Sequence, residues 1–235
     1  MSSDYGDFTI VLPTLNEGKN IGMLVSRLLG EYKGIKVIVV DDGSKDNTKE
    51  EVNSISRRNR NVRFIDRSSR KEKGLTASAA EGILSSKTKF AIVMDADLQH
   101  PTSAIGKMAS ELSHGSHLVV AVRADVHGWE LYRKIISKTL IVIGYAALFL
   151  RRRARCKDIF SGFFGVEKSL FSKVYNANRG RFVSSGYKIL YDFLKCVNSS
   201  GIGIAEVPYS FGLRKYGTSK AGFKQGLLLF KSFLT

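Results

Sequence analysis

The chain has 235 residues, 43% of them apolar, which is enough for one large α/β domain with a buried core. It carries 37 basic against 21 acidic residues, a net charge of +16, and so points to anionic partners: nucleic acid, a membrane surface or phosphorylated substrates. Its two cysteines, Cys156 and Cys196, make neither a disulfide framework nor a metal-type spacing, and a reducing compartment is the default.

The opening "MSSDYGDF" has no basic region and no apolar run, so no signal peptide is expected. Phe8–Pro13 reads as a buried strand, and Ile21, Leu24, Val25, Leu28 and Leu29 follow at helical spacing. Lys36–Ser44 is a second buried strand with a polar end. Asp46, Asn47 and Thr48 look like a helix start. Asn61–Arg67 is a shorter strand, and Leu75, Ala79, Ala80 and Ile83 mark the next helix. A strand ends at Met94, a helix opens near Pro101, and His117–Arg123 is a further strand. Residues 129–150 read as one helix whose end, "LIVIGYAALFL", is very apolar and runs into "RRRARCK". A spanning helix needs about 20 apolar residues, so no transmembrane helix is expected. "DIFSGFFGVEK" reads as strand or turn, Ser184–Val197 as helix, and Gly203–Arg214 as a strand whose Pro208 argues for an edge position. "KYGTSKAG" is a Gly/Ser loop, and the chain ends in an apolar helical stretch.

Apolar strands alternating with amphipathic helices predict a mostly parallel sheet covered on both faces. In such sheets ligands bind beyond the carboxyl ends of the strands. The polar residues gather at those ends: Asn16 and Glu17, Asp41 and Asp42, Asp95 and Asp97, and Arg123. Asp95 and Asp97 alternate along one strand and so can point the same way. Two carboxylates at one point repel unless a cation lies between them. Oxygen ligands suit Mg²⁺ or Mn²⁺; Gln99 can add a neutral oxygen, and His100 can support the ligands from outside. Asp42 suits ribose or base donors, while Gly43 and Ser44 suit a turn; both readings stand. Glu17 is either an acceptor for base or sugar or part of a helix cap. Arg123, Arg133, Lys134, Arg214 and Lys220 are candidate phosphate clamps, the last two on a loop that could fold over a ligand. Residues 139–155 suit a helix lying in a membrane interface beside anionic headgroups, against the plainer reading of a buried helix and a basic turn.

The pieces "PTLNE", "VVDDGS", "KGL" with "AAEG", "MDADLQHP", "YRKIIS", "SGFF", "GYKIL" and "EVPYSFGLRKYGTSK" occur in this order from about Phe8 to Lys220. Together they resemble the GT-A glycosyltransferases of family 2, of the dolichol-phosphate mannose synthase type. The resemblance implies a single GT-A catalytic domain over 1–235, with a nucleotide-sugar half (1–123) and an acceptor and membrane-interface half (124–235). It implies transfer of a hexose, mannose from GDP-mannose, to dolichyl or polyprenyl phosphate with inversion. Nucleotide-sugar contacts would fall on Pro13, Leu15, Glu17, Val40, Asp42, Asp95, Ala96, Arg123, Arg214 and Lys220. Asp95, Asp97 and Gln99 would hold Mg²⁺ or Mn²⁺, and Arg133 and Ser137 the lipid phosphate. The catalytic set would be Asp97, Arg123, Arg133 and Ser137. It further implies a peripheral protein on the cytoplasmic face of the endoplasmic reticulum or of a prokaryotic plasma membrane, and leaves room for a membrane-anchoring subunit. Three departures stand out: Leu15 replaces the usual Tyr, Asp192 the usual Glu, and "AVRADVHG" the usual Ser-Arg-Tyr stretch. UDP-glucose as donor is the alternative within the class. A basic nucleic-acid- or membrane-binding module without catalysis is the alternative outside it, though no nucleic-acid motif is present and no nucleic acid is expected.

Overall fold

The structure, a computed structural model, describes residues 4–126, 131–186, 188–212 and 232–233, with backbone only at 125–126 and 131–138. Seven strands form one sheet: β1 (Phe8–Thr14), β2 (Lys36–Asp41), β3 (Val62–Asp66), β4 (Phe90–Val93), β5 (Leu118–Val126), β6 (Phe164–Glu167) and β7 (Ile204–Phe211). Their order is β3-β2-β1-β4-β6-β5-β7. Pairings β1–β2, β1–β4, β2–β3 and β5–β7 are parallel, whereas β6 runs antiparallel to both β4 and β5. Six strands therefore end at one edge. The segment that leads into β6 starts from that same edge.

The helices are α1 (Gly18–Glu31), α2 (Thr48–Ser56), α3 (Leu75–Ser85), α4 (Ala104–Ser113), α5 (Leu131–Leu150), α6 (Lys168–Ala177) and α7 (Ile189–Leu194). Strand alternation sends Ile10 and Leu12 into a core shared with α1 and α4, and Val11, Val40 and Val93 into a second core shared with α3, α6 and α7. Burial on both faces is why these strands read as continuous apolar runs.

Two expectations need correction, and one helix was not anticipated. The second strand stops at Asp41 rather than Ser44, because Asp41 takes the backbone N–H groups of Gly43 (3.1 Å) and Ser44 (2.8 Å) and turns the chain. The helix expected over Ser184–Val197 is only the six residues of α7. The carbonyls of Ser184 and Gly186 instead accept from Ala77 (3.2 Å) and Thr76 (3.0 Å), filling the open first turn of α3. Helix α6 lies just beyond the stretch read as strand or turn. Its apolar Leu170, Phe171, Val174 and Tyr175 pack on the second core at helical spacing. The edge position argued from Pro208 is the observed one, since β7 closes the sheet beyond β5.

Candidate active site

The end of β4 carries Asp95 and Asp97 on the loop to α4. Asp97 is buried, at 5% exposure, and its Oδ1 accepts the N–H of Gln99 at 3.1 Å. Asp95 is more open, and its Oδ2 lies 3.2 Å from Nε2 of His100. His100 is itself buried, with its ring packed among Phe163, Tyr209 and Phe211. A buried ring held on three sides fixes where its nitrogen, and hence the Asp95 carboxylate, can sit. Gly162, leading into β6, faces the same carboxylate: a Cβ there would lie 3.2 Å from Oδ2 of Asp95. A larger residue would press on that carboxylate. Gln99 ties this loop to the end of β7, its Nε2 donating to the Gly212 carbonyl (3.0 Å) while its own carbonyl accepts from the Gly212 N–H (2.9 Å). Ala96 has its methyl in the core, so a ligand beside it meets main chain.

One side of this pair is cationic. Arg123 is gripped by Asp158 in a bidentate pair, Nε to Oδ2 at 2.7 Å and Nη2 to Oδ1 at 3.0 Å. That pairing holds the guanidinium plane within β5, beside the irregularity between Arg123 and Asp125; the strand runs on to Val126 rather than stopping at Arg123 as expected. Lys188, just before α7, donates to the Phe160 carbonyl at 2.9 Å. Burial first, and the neighbouring Arg123 second, push its ammonium down to about 8, against the pull of Asp158 and Asp95. Asp158 and Lys188 are thus parts of the site that the residue-by-residue reading left out. Their signals were present: Asp158 stands just before "SGFF", and Lys188 is the centre of "GYKIL".

The other side is acidic and belongs to β1 and β2. Asp41 is the turn former; besides two backbone N–H groups it accepts from the Ser44 and Thr14 hydroxyls. Asp42 points elsewhere, with Oδ2 taking the Gly74 N–H at 2.6 Å and Oδ1 facing Arg67 Nε at 3.3 Å. Gly74 meets it at a φ of 125°, which L side chains rarely adopt. The turn and the candidate binder are therefore separate residues. Glu17 stands at the N-cap position of α1, but its side chain caps no backbone group there. It accepts instead from Asn20 Nδ2 at 2.8 Å, and its N–H donates to the Thr48 hydroxyl at 3.0 Å. Pro13 and Val40 are buried in their strands, and Leu15 is exposed at the end of β1. β1 separates β2 from β4, so the strands that lead to Asp42 and to the Asp95–Asp97 pair lie about 10 Å apart in the sheet. That is the reach of a nucleoside carrying a diphosphate. Arg133 and Ser137 lie one turn apart on α5, where only backbone is described; Arg214 and Lys220 lie outside the described residues.

The donor set fits a hard divalent cation. Asp95 and Asp97 bring carboxylate oxygens to one loop, Gly162 keeps space beside the first of them, and the Gln99 amide donates through its nitrogen, which leaves its oxygen able to accept. Among the described residues no cluster of three or more His, Cys, Asp or Glu could hold a metal; Gln99, substrate phosphates and water are of the chemistry that completes such a set.

The family model for glycosyl transferase family 2 matches residues 9–175. Dolichol-phosphate mannosyltransferase from Pyrococcus furiosus is 35% identical over 218 residues, covering 90% of this chain; the chain spans 58% of that protein's length. The protein of the same name from Saccharomyces cerevisiae is 32% identical over 231 residues, covering 93% of this chain and 82% of that one. Among solved structures, glucosyl-3-phosphoglycerate synthase from Mycobacterium tuberculosis superposes with a TM-score of 0.67 at 18% identity, over 97% of this chain and 78% of that one. Its complex with Mn²⁺, UDP-glucose and phosphoglyceric acid gives 0.63 at 18% identity, over 90% and 72%. The α/β fold observed here is the GT-A fold of those structures.

Proposed function

The chain belongs to glycosyl transferase family 2, and from that premise we propose that it moves mannose from GDP-mannose to dolichyl or polyprenyl phosphate, inverting the anomeric centre. The observation that carries this reading is the Asp95–Asp97 pair at the end of β4, set between Asp42 and the cationic Arg123 and Lys188. An oxygen of the acceptor phosphate attacks the anomeric carbon; the bond to the donor diphosphate breaks, and its electron pair leaves with GDP. The acceptor is already an anion near neutral pH, so no strong general base is required. The protein's share is alignment and control of charge. Asp95, Asp97 and Gln99 would hold Mg²⁺ or Mn²⁺, which when bound offsets charge on the leaving diphosphate. Arg123, fixed by Asp158, and Lys188 add positive charge on the same edge, and we assign Arg214 and Lys220 to the diphosphate. Glu17 and Asp42 take the nucleoside end, while Arg133 and Ser137 take the lipid phosphate. A panel of labelled nucleotide sugars with dolichyl phosphate tests the whole reading. GDP-mannose is expected to give labelled lipid; label from UDP-glucose alone would reassign the donor, and no lipid product from any donor would overturn the reading.

We place the protein peripherally on a membrane surface through α5. Phe149 and Leu150 are 60% and 80% exposed, with Val142, Ile143 and Tyr145 also turned outward, while Gly144 and Leu148 face the core. Arg155 covers the Tyr145 and Phe149 rings at 5.6 and 4.7 Å, and Arg151 and Arg152 stand exposed beside them. No described helix is long and apolar enough to cross a membrane. Apolar side chains rimmed by arginines suit the headgroup boundary of an anionic leaflet. Replacing Phe149 and Leu150 with Asp should weaken binding to phosphatidylserine vesicles on the order of 10²-fold. Sedimentation with vesicles reads this directly, and unchanged binding would mean the apolar face serves another purpose.

A further inference from the structure

A cleft of about 470 Å³ opens between the segment after β3, the outer face of α3 and the end of α6. Four cations line it: Arg67, Arg70, Lys71 and Arg179. Two carboxylates oppose them, and both are already engaged. Glu81 accepts from Arg67 through one oxygen and from Arg70 at 2.9 Å through the other, and Glu72 accepts the Ser184 hydroxyl at 3.0 Å. The lining therefore keeps a formal excess of two positive charges. Among the described residues Lys71 and Arg179 have no carboxylate at ion-pair distance, and both are exposed. Tyr175 and Leu84 add apolar wall, and Asn176 adds an amide. The cleft is of the size that holds a small molecule, and its guanidinium groups can meet phosphate oxygens in pairs. It is not the site described above. Arg67 stands between the two, turning Nε toward Asp42 (3.3 Å) and Nη1 toward Glu81.

We propose that this cleft is a second anion site, built for a small organic phosphate. Lys71 and Arg179 meet the phosphate, and Tyr175 and Leu84 meet the body that carries it. Inorganic pyrophosphate, titrated calorimetrically in EDTA so that no metal bridges it to Asp95 and Asp97, is the probe. Two double variants with the same change of charge separate a built site from bulk attraction: Lys71→Glu with Arg179→Glu in the cleft, and Arg57→Glu just beyond α2 with Lys107→Glu on α4. All four positions are exposed, so both variants should melt with the wild type. The cleft pair should lose at least about tenfold in pyrophosphate affinity, the worth of one or two charge-assisted contacts, while the control pair keeps wild-type affinity. Equal losses in the two variants, no loss in the cleft pair, or no binding to the wild-type protein at millimolar pyrophosphate would each overturn the proposal. None of these readings depends on transfer activity, so they stand apart from the donor panel.

Discussion

Asp97→Ala is expected to lower transfer by roughly 10³-fold or more and to leave the protein folded, because charge stabilisation of a leaving group is commonly the largest single contribution to such a rate. Asp97 is buried at the end of β4, and within the loop its carboxylate accepts the N–H of Gln99. Its proposed work is to hold a cation together with Asp95. Without it, one carboxylate and one amide oxygen remain, too few protein ligands to fix a hard cation on the diphosphate. The fold should not suffer, since removing one of two neighbouring carboxylates relieves their mutual repulsion in the metal-free protein. Two measurements separate the outcomes. Initial rates are taken against Mn²⁺ concentration, and melting temperature is taken with and without Mn²⁺ and GDP. The wild type should be stabilised by the pair of ligands, and the variant should not. Wild-type rates from the variant, or wild-type rates from the native chain in excess EDTA, would remove the metal from the reading.

The second large effect is on stability, at Asp192, one of the three departures from the pattern the sequence resembles. Asp192 lies within α7 and is buried, as are Lys195 and Ser232. Lys195 Nζ pairs with Asp192 Oδ1 at 2.8 Å and donates to the Ser232 carbonyl at 3.1 Å. Asp192 also accepts the Ser232 hydroxyl, and its other oxygen takes the Val183 N–H at 3.1 Å. The shorter Asp thus knots α7 to the Val183 turn and to the segment near the chain's end. Burial already draws the Lys195 ammonium below its ordinary value, with Asp192 pulling it back. Asp192→Ala removes that pull and leaves a buried cation, so a loss of about 3–5 kcal/mol is expected at pH 7. The sign of the pH dependence follows. A lysine whose folded pKa is depressed destabilises the fold while the unfolded chain is protonated, and the cost shrinks as pH rises towards the free lysine value. The deficit should therefore fall by up to about 1.4 kcal/mol per pH unit above neutrality. Urea unfolding of both proteins at pH 7 and pH 9 measures it. A deficit that is the same at both pH values would place the loss in packing rather than in the charge of Lys195. Asp192→Ala with Lys195→Met should recover much of the loss, because no buried charge is then left alone.

The layered sheet and its chemical edge were legible from the residues alone. Ile10–Leu12, Val37–Val40 and Ala91–Val93 are short unbroken apolar runs between amphipathic helical segments, as strands covered on both faces show, and polar residues stop each run at the same end. Asp95 and Asp97 announced themselves because two acids directly after an apolar run are a local signal, although β4 stops at Val93 and the loop beyond it, not strand alternation, sets how they point. What the residues could not announce was partnership across distance. Arg123 and Asp158 are 35 residues apart and meet only because β6 enters between β4 and β5 in the opposite sense. Periodicity reports which face of an element is buried, over a few residues. It carries no record of which strand lies alongside, or of which way that strand runs. The same limit hid Asp192, a mid-helix acid whose meaning comes from Lys195 one turn on and Ser232 forty residues later. It also hid the true length of α7, whose neighbouring carbonyls go to α3 rather than to their own helix. Local pattern thus set the elements and the acidic pair, and tertiary packing decided which charges hold one another, because burial without a partner costs several kcal/mol and only the assembled fold supplies the partner.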